Sequence, residues 1–109
     1  MKGLLAIFFT LMFFNVNSQV DFIQGGGTLD DWANLAKYRS ANSEIINNPI
    51  DNLVVFMGNS ITENWTKFRP GFFQNNSFLN RGISGQTTPQ MLIRFKPDVV
   101  NLKPNSVVI

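Results

Sequence analysis

The chain has 109 residues, 44% of them hydrophobic and 15% charged, with no cysteine and no histidine, the profile of an ordered globular chain of one domain at most. Without cysteine there is no disulfide framework, thiolate metal site or catalytic thiol, and without histidine no imidazole base, zinc site or proton shuttle can be completed within these residues. Nine Lys and Arg against seven Asp and Glu leave a net charge of +2; the basic residues are scattered among acids, so no stripe forms that would track a nucleic-acid backbone.

Met1 to Ser18 opens with Lys2, continues with the apolar run Leu4 to Phe14, and ends in the polar stretch Asn15-Val16-Asn17-Ser18. This is the order of a signal peptide, and the apolar run is well short of the roughly 20 residues that span a bilayer as a helix. Cleavage is expected after Ser18, leaving 19–109 as the exported chain, periplasmic or extracellular and without stable membrane insertion. With no cysteine, its stability in an oxidising compartment would rest on packing alone.

Gly25-Gly26-Gly27 is a break. Thr28 followed by Asp31 resembles a helix-start capping box, and partly helical apolar spacing predicts a helix from about Asp30 to Ile46 with Trp32 as a packing residue. Asn47 to Asn52 is turn composition. It leads into Leu53-Val54-Val55-Phe56-Met57, a continuous apolar run that predicts a strand buried on both faces. Further strands are predicted at Phe78 to Gly82 and Ser106 to Ile109. The connections, 58–77 and 83–104, are too long for hairpins and long enough for crossover helices, which Ile61 to Phe68 and Thr88 to Leu102 can supply, the latter interrupted near Pro97. Gly71-Phe72-Phe73 would pack against the sheet. The pattern is α/β with a mostly parallel sheet.

Parallel sheets place ligands at the carboxyl ends of their strands. Gly58-Asn59-Ser60-Ile61-Thr62 follows the first strand and Gly82-Ile83-Ser84-Gly85-Gln86-Thr87-Thr88 follows the second. Ser60 would sit in a sharp strand-to-helix turn, with Gly58 relieving backbone crowding and the helix N-terminus aiming free N–H groups at whatever binds there. A hydroxyl in that place is either an exposed nucleophile or a helix cap. The N–H groups of Ser60 and Gly85 could converge on a tetrahedral oxyanion, since glycine allows close backbone approach.

Val54 to Thr62 resembles the first sequence block of the SGNH hydrolases, also called GDSL esterases and lipases, and Asn80 to Thr88 resembles their second. The resemblance covers about Asp51 to Ile109. It implies a flavodoxin-like, three-layer α/β/α sandwich around a five-stranded parallel sheet, with Ser60 as nucleophile, the N–H groups of Ser60 and Gly85 in the oxyanion hole, and Gly58 and Asn59 in the substrate-binding turn. Asn59 stands where the family name implies Asp, and Gln86 where the second block often has Asp. The family's third-block Asn and the Asp and His of its last block have no counterpart here, and Glu63, Arg81 and Asp98 are poor replacements for the base.

The resemblance therefore implies the N-terminal part of a secreted serine esterase, cut after its third strand and inactive alone. Its substrates would be short acyl esters, including acetyl groups on carbohydrates, and it would use no metal or organic cofactor and bind no nucleic acid. The alternatives are a non-catalytic carbohydrate- or anion-binding module on the same fold, and a phosphate-binding α/β protein, although the lysine and glycine spacing of a P-loop is missing. The third strand, with an apolar edge, is expected to make the isolated piece prone to aggregate.

Overall fold

The computed structural model describes residues 24–109; the segment Met1 to Ser18, expected from the sequence to be a signal peptide, lies outside them. β1 (Val54–Gly58), β2 (Phe78–Gly82) and β3 (Ser106–Val108) form a parallel sheet in the order β2-β1-β3. Val54 lies beside Phe78 and Ser106, and Gly58 beside Gly82. The longest apolar run in the described chain thus becomes the middle strand, where both faces and both edges are covered.

Strand alternation divides that run between two cores. Leu53, Val55 and Met57 pack with Val99 and Leu102, flanked by Ile45, Ile50, Leu79, Met91 and Phe95. These partners come mainly from α1 (Arg39–Asn47), α3 (Thr88–Asp98) and the 3-10 turn Val100–Leu102. On the opposite face the Phe56 ring meets Trp65, Phe72, Phe73 and Phe78 edge-on, with centroids 5.3 to 5.6 Å apart. Trp65 belongs to α2 (Ser60–Phe68), Phe72 and Phe73 to the 3-10 turn Phe72–Gln74, and Phe78 to β2. Helices therefore cover both faces of the sheet, giving the expected α/β/α arrangement with three of its strands described.

The first helix departs from its expected bounds. It starts at Arg39, and residues 28–38 form successive turns. Thr28 Oγ1 does accept from the Asp31 N–H at 3.0 Å, but the Asp31 carboxylate then takes the N–H groups of Leu35 and Ala36 at 2.7 and 2.8 Å, and Asn34 sits at φ 56°. Such side-chain bonds to nearby backbone compete with the helical ladder. Trp32 is 46% exposed rather than packed; its carbonyl, not its ring, is the tie, accepting from Gln90 Nε2 at 3.0 Å. The predicted interruption near Pro97 holds: α3 ends at Asp98, and Lys103 at φ 52° turns the chain before Pro104 and β3.

Candidate active site

Two glycines opposite each other in the sheet decide where α2 can begin. A Cβ on Gly58 would lie 2.0 Å from Thr62 Oγ1, and one on Gly82 would lie 2.2 Å from the Glu63 nitrogen. Without side chains at this registered pair, the first turn of α2 settles directly onto the carboxyl ends of β1 and β2. Asn59 caps the helix, its Oδ1 accepting from the Ile61 N–H at 3.2 Å. Ser60 is then the first helical residue, half-buried, and its hydroxyl makes no hydrogen bond among the described residues. Capping falls to Asn59 and not to Ser60, so the sequence alternative of a capping serine is not what the geometry presents.

The loop after β2 is tied to that turn at several points. The Ile83 N–H donates to the Gly58 carbonyl at 3.1 Å. Glu63 accepts from both the N–H and the hydroxyl of Ser84. Asn80 donates to the Thr62 carbonyl at 2.6 Å and to Thr66 Oγ1 at 2.9 Å, while accepting from the Gly82 N–H at 2.8 Å. Gly85 follows at φ 77°, a left-handed conformation suited to glycine, and a Cβ there would also press to 3.0 Å from the Gly25 nitrogen. It is exposed, and no partner for its N–H is found among the described residues.

Beneath both loops lies a polar network that sequence reasoning missed. Arg94 and Asp98 are fully buried on α3 and paired at 3.0 Å. Arg94 Nη2 donates to the Gly58 carbonyl at 2.9 Å, and Nε donates to Gln86 Oε1. Asn42 of α1 donates to Asp98 Oδ1 at 2.7 Å and accepts from Arg81 Nε at 2.9 Å. The Tyr38 hydroxyl donates to the Gly82 carbonyl at 2.5 Å, and its ring lies 4.6 Å from the Arg81 guanidinium. The signal present in the sequence was the spacing of four between Arg94 and Asp98 in α3.

Charge in the site is settled by these contacts. Partial burial acts to raise the Glu63 pKa, but hydrogen bonds from Lys37 and Ser84 outweigh it and bring the carboxyl down to about 2. A carboxylate so stabilised is a weak base. Burial, with Glu63 nearby, pushes the Tyr38 hydroxyl up, so it stays a donor. Burial also lowers the Arg81 pKa, against the opposing pull of Asp98. Glu63, Arg81 and Asp98 are thus all engaged structurally, in keeping with their expected unsuitability as the base.

A hollow of about 250 Å3 borders the Ser60 turn, lined by Asn59, Ile61, Thr62, Met91 and Ile109 among others. A larger one of about 600 Å3 lies at the far end of α2, between Phe68 and Phe72. Among the described residues no group of three or more His, Cys, Asp or Glu is placed to hold a metal ion, and no helix is long and apolar enough to cross a membrane.

No family model matches the chain, and no curated protein matches it. Solved structures do. A protein from Bacteroides fragilis that carries the name acylhydrolase is 51% identical over 71% of this chain and 38% of its own, with a TM-score of 0.64. A GDSL-like lipase from Bacteroides thetaiotaomicron is 47% identical over 69% of this chain and 37% of its own, with a TM-score of 0.63. The chain therefore spans less than two fifths of the length of either. With two sequence blocks on the expected strands and identity near one half over the shared region, the chain belongs to the SGNH/GDSL-type family.

Proposed function

We propose that this chain is the nucleophile-bearing part of an exported serine esterase that hydrolyses short acyl esters, including acetyl groups on carbohydrates. The observation that carries the reading is the Ser60 hydroxyl at the first position of α2, on the carboxyl end of the central strand, beside a loop that presents Gly85 at φ 77°. The names of the two Bacteroides relatives support the same chemistry.

In this mechanism Ser60 Oγ attacks the ester carbonyl, and the charge that develops on the carbonyl oxygen is met by the N–H groups of Ser60 and Gly85 together with the positive end of α2. Collapse expels the alcohol and leaves an acyl-enzyme, which water cleaves. Gly58 and Asn59 shape the turn that receives the acyl group. Because the 109 residues contain no histidine, the general base comes from outside them. Export rests on the Met1 to Ser18 pattern, and the product would act in the periplasm or outside the cell.

The test is hydrolysis of nitrophenyl acetate by the full-length protein. Ser60→Ala is expected to lower turnover by at least about 1000-fold; wild-type turnover in that variant would overturn the assignment. A second reading, a non-catalytic carbohydrate- or anion-binding module, rests on the same Gly58 to Thr62 turn, whose helix N-terminus can hold an anion or a sugar without chemistry. Saccharide binding by a full-length protein with no esterase activity would support that reading.

A further inference from the structure

One guanidinium touches both loops on which the proposed chemistry depends. Arg94 Nη2 donates to the carbonyl of Gly58, two residues before Ser60, at 2.9 Å. Its Nε donates to Gln86, the residue after Gly85. The third arm, Nη1, is paired with Asp98 at 3.0 Å, and Asp98 is itself fixed by Asn42 Nδ2 at 2.7 Å. Gln86 is held at its other end, where Nε2 donates to the Ala33 carbonyl at 2.7 Å. Arg94 has no solvent exposure.

From this arrangement we infer that Arg94 is a positioning residue, fixing the Ser60 turn and the Gly85 loop at one separation so that the nucleophile and both oxyanion donors face the same point. The inference rests on the esterase reading given above. An ion pair with Asp98 alone would need only one arm of the guanidinium. The other two are spent on one backbone carbonyl and one side chain that belong to the two loops. Burying a charge is costly unless every polar group around it is partnered, and here the partners are drawn from the parts of the chain whose spacing sets the rate. Lysine cannot reproduce this, because a single ammonium lacks the planar fork that reaches Gly58, Gln86 and Asp98 together.

A loop displaced by about 1 Å costs roughly 100-fold in rate without changing what the site binds. Arg94→Lys in the full-length protein is therefore expected to keep the Asp98 pairing and the KM for nitrophenyl acetate within about threefold, while kcat falls by roughly 30-fold to 100-fold. Labelling of Ser60 by a fluorophosphonate should slow by a similar factor. If Arg94→Lys does not fold, Gln86→Met carries the test, since it leaves Asp98 its partner; the expected loss in kcat is about tenfold at unchanged KM. Wild-type kcat and labelling in the folded variant, with only the melting temperature lowered, would overturn the inference and leave Arg94 as internal support. Loss of turnover in Ser60→Ala alongside that result would leave the esterase reading intact. Retained turnover in Ser60→Ala would overturn both.

Discussion

Glu63, in the first turn of α2, accepts from the backbone N–H of Ser84 at 2.7 Å and from its hydroxyl, while Lys37 pairs with its other oxygen. The contact joins the helix that begins at Ser60 to the loop that carries Gly85, so its charge state bears on both. The carboxyl lies at about 2 in the folded chain against 4.5 as its ordinary value. A depressed folded pKa means that the stability gained is fully present above about pH 5 and is lost as pH falls from 4.5 towards 2. Glu63→Gln should therefore lower the melting temperature at pH 7 and converge on wild type near pH 2. The loss at pH 7 is expected to be about 1 kcal/mol, as for a half-exposed ion pair with added hydrogen bonds. Melting curves of both proteins from pH 2 to 7 decide it; a constant difference across that range would show that the charge is not involved.

The seating of α2 on the sheet predicts a sharp difference between two glycines. A Cβ at Gly82 would lie 2.2 Å from the Glu63 nitrogen and 2.7 Å from its Cα, which are backbone atoms that cannot rotate aside. Gly82→Ala must push α2 off β2 and should cost at least about 2 kcal/mol. Gly71 has nothing within 4 Å of the corresponding position, so Gly71→Ala should change stability by no more than about 0.5 kcal/mol. Denaturant unfolding of the two variants makes the comparison, and equal effects would contradict the packing described.

These relationships also mark what sequence could and could not reveal. The strands were legible because Leu53 to Met57 is apolar without interruption and long connections leave only parallel order. Ser60 and Gly85 stood out because each follows a strand in a parallel sheet. The extent of the first helix was not legible, because Asp31 acts on Leu35 and Ala36 through its side chain, and helical spacing does not register that competition. Nor was the Arg94 network, because Asn42, Arg81, Gln86 and Asp98 are scattered through the chain and only the fold brings their polar atoms together. Gln86 illustrates the point. It stands where the second block often has Asp, and its amide serves Arg94 with one end and the Ala33 carbonyl with the other, which an aspartate could not do.

Asn59 is the second departure, and its geometry predicts the effect of reversing it. Oδ1 accepts from the Ile61 N–H at 3.2 Å, a bond that either oxygen of an aspartate can make. A negative charge at the cap would also face the positive end of α2, worth about 0.5 to 1 kcal/mol. Asn59→Asp is expected to raise the melting temperature modestly and to keep esterase turnover within about threefold. A loss of stability would mean that the Asn59 Nδ2 group, not its oxygen, is what the turn requires.

Phe56 tests how far the aromatic layer supports the site. Its ring is 6% exposed and meets four others edge-on, and one of these, Phe72, stacks on Trp65 with centroids 4.9 Å apart. Those rings are the contact between the sheet and the middle of α2, so removing Phe56 empties the space on which the helix rests. Phe56→Ala should cost about 3 to 5 kcal/mol, whereas Phe68→Ala, at a position 79% exposed, should cost less than about 0.5 kcal/mol. The Ser60 end of α2 is held separately, by Asn80, Glu63 and the pair Gly58 and Gly82. In Phe56→Leu, which retains part of the packing, turnover at 20 °C should therefore stay within about fivefold of wild type while the melting temperature falls. A turnover loss of roughly 100-fold at that temperature would show that the aromatic layer, and not the polar ties above it, sets the position of Ser60.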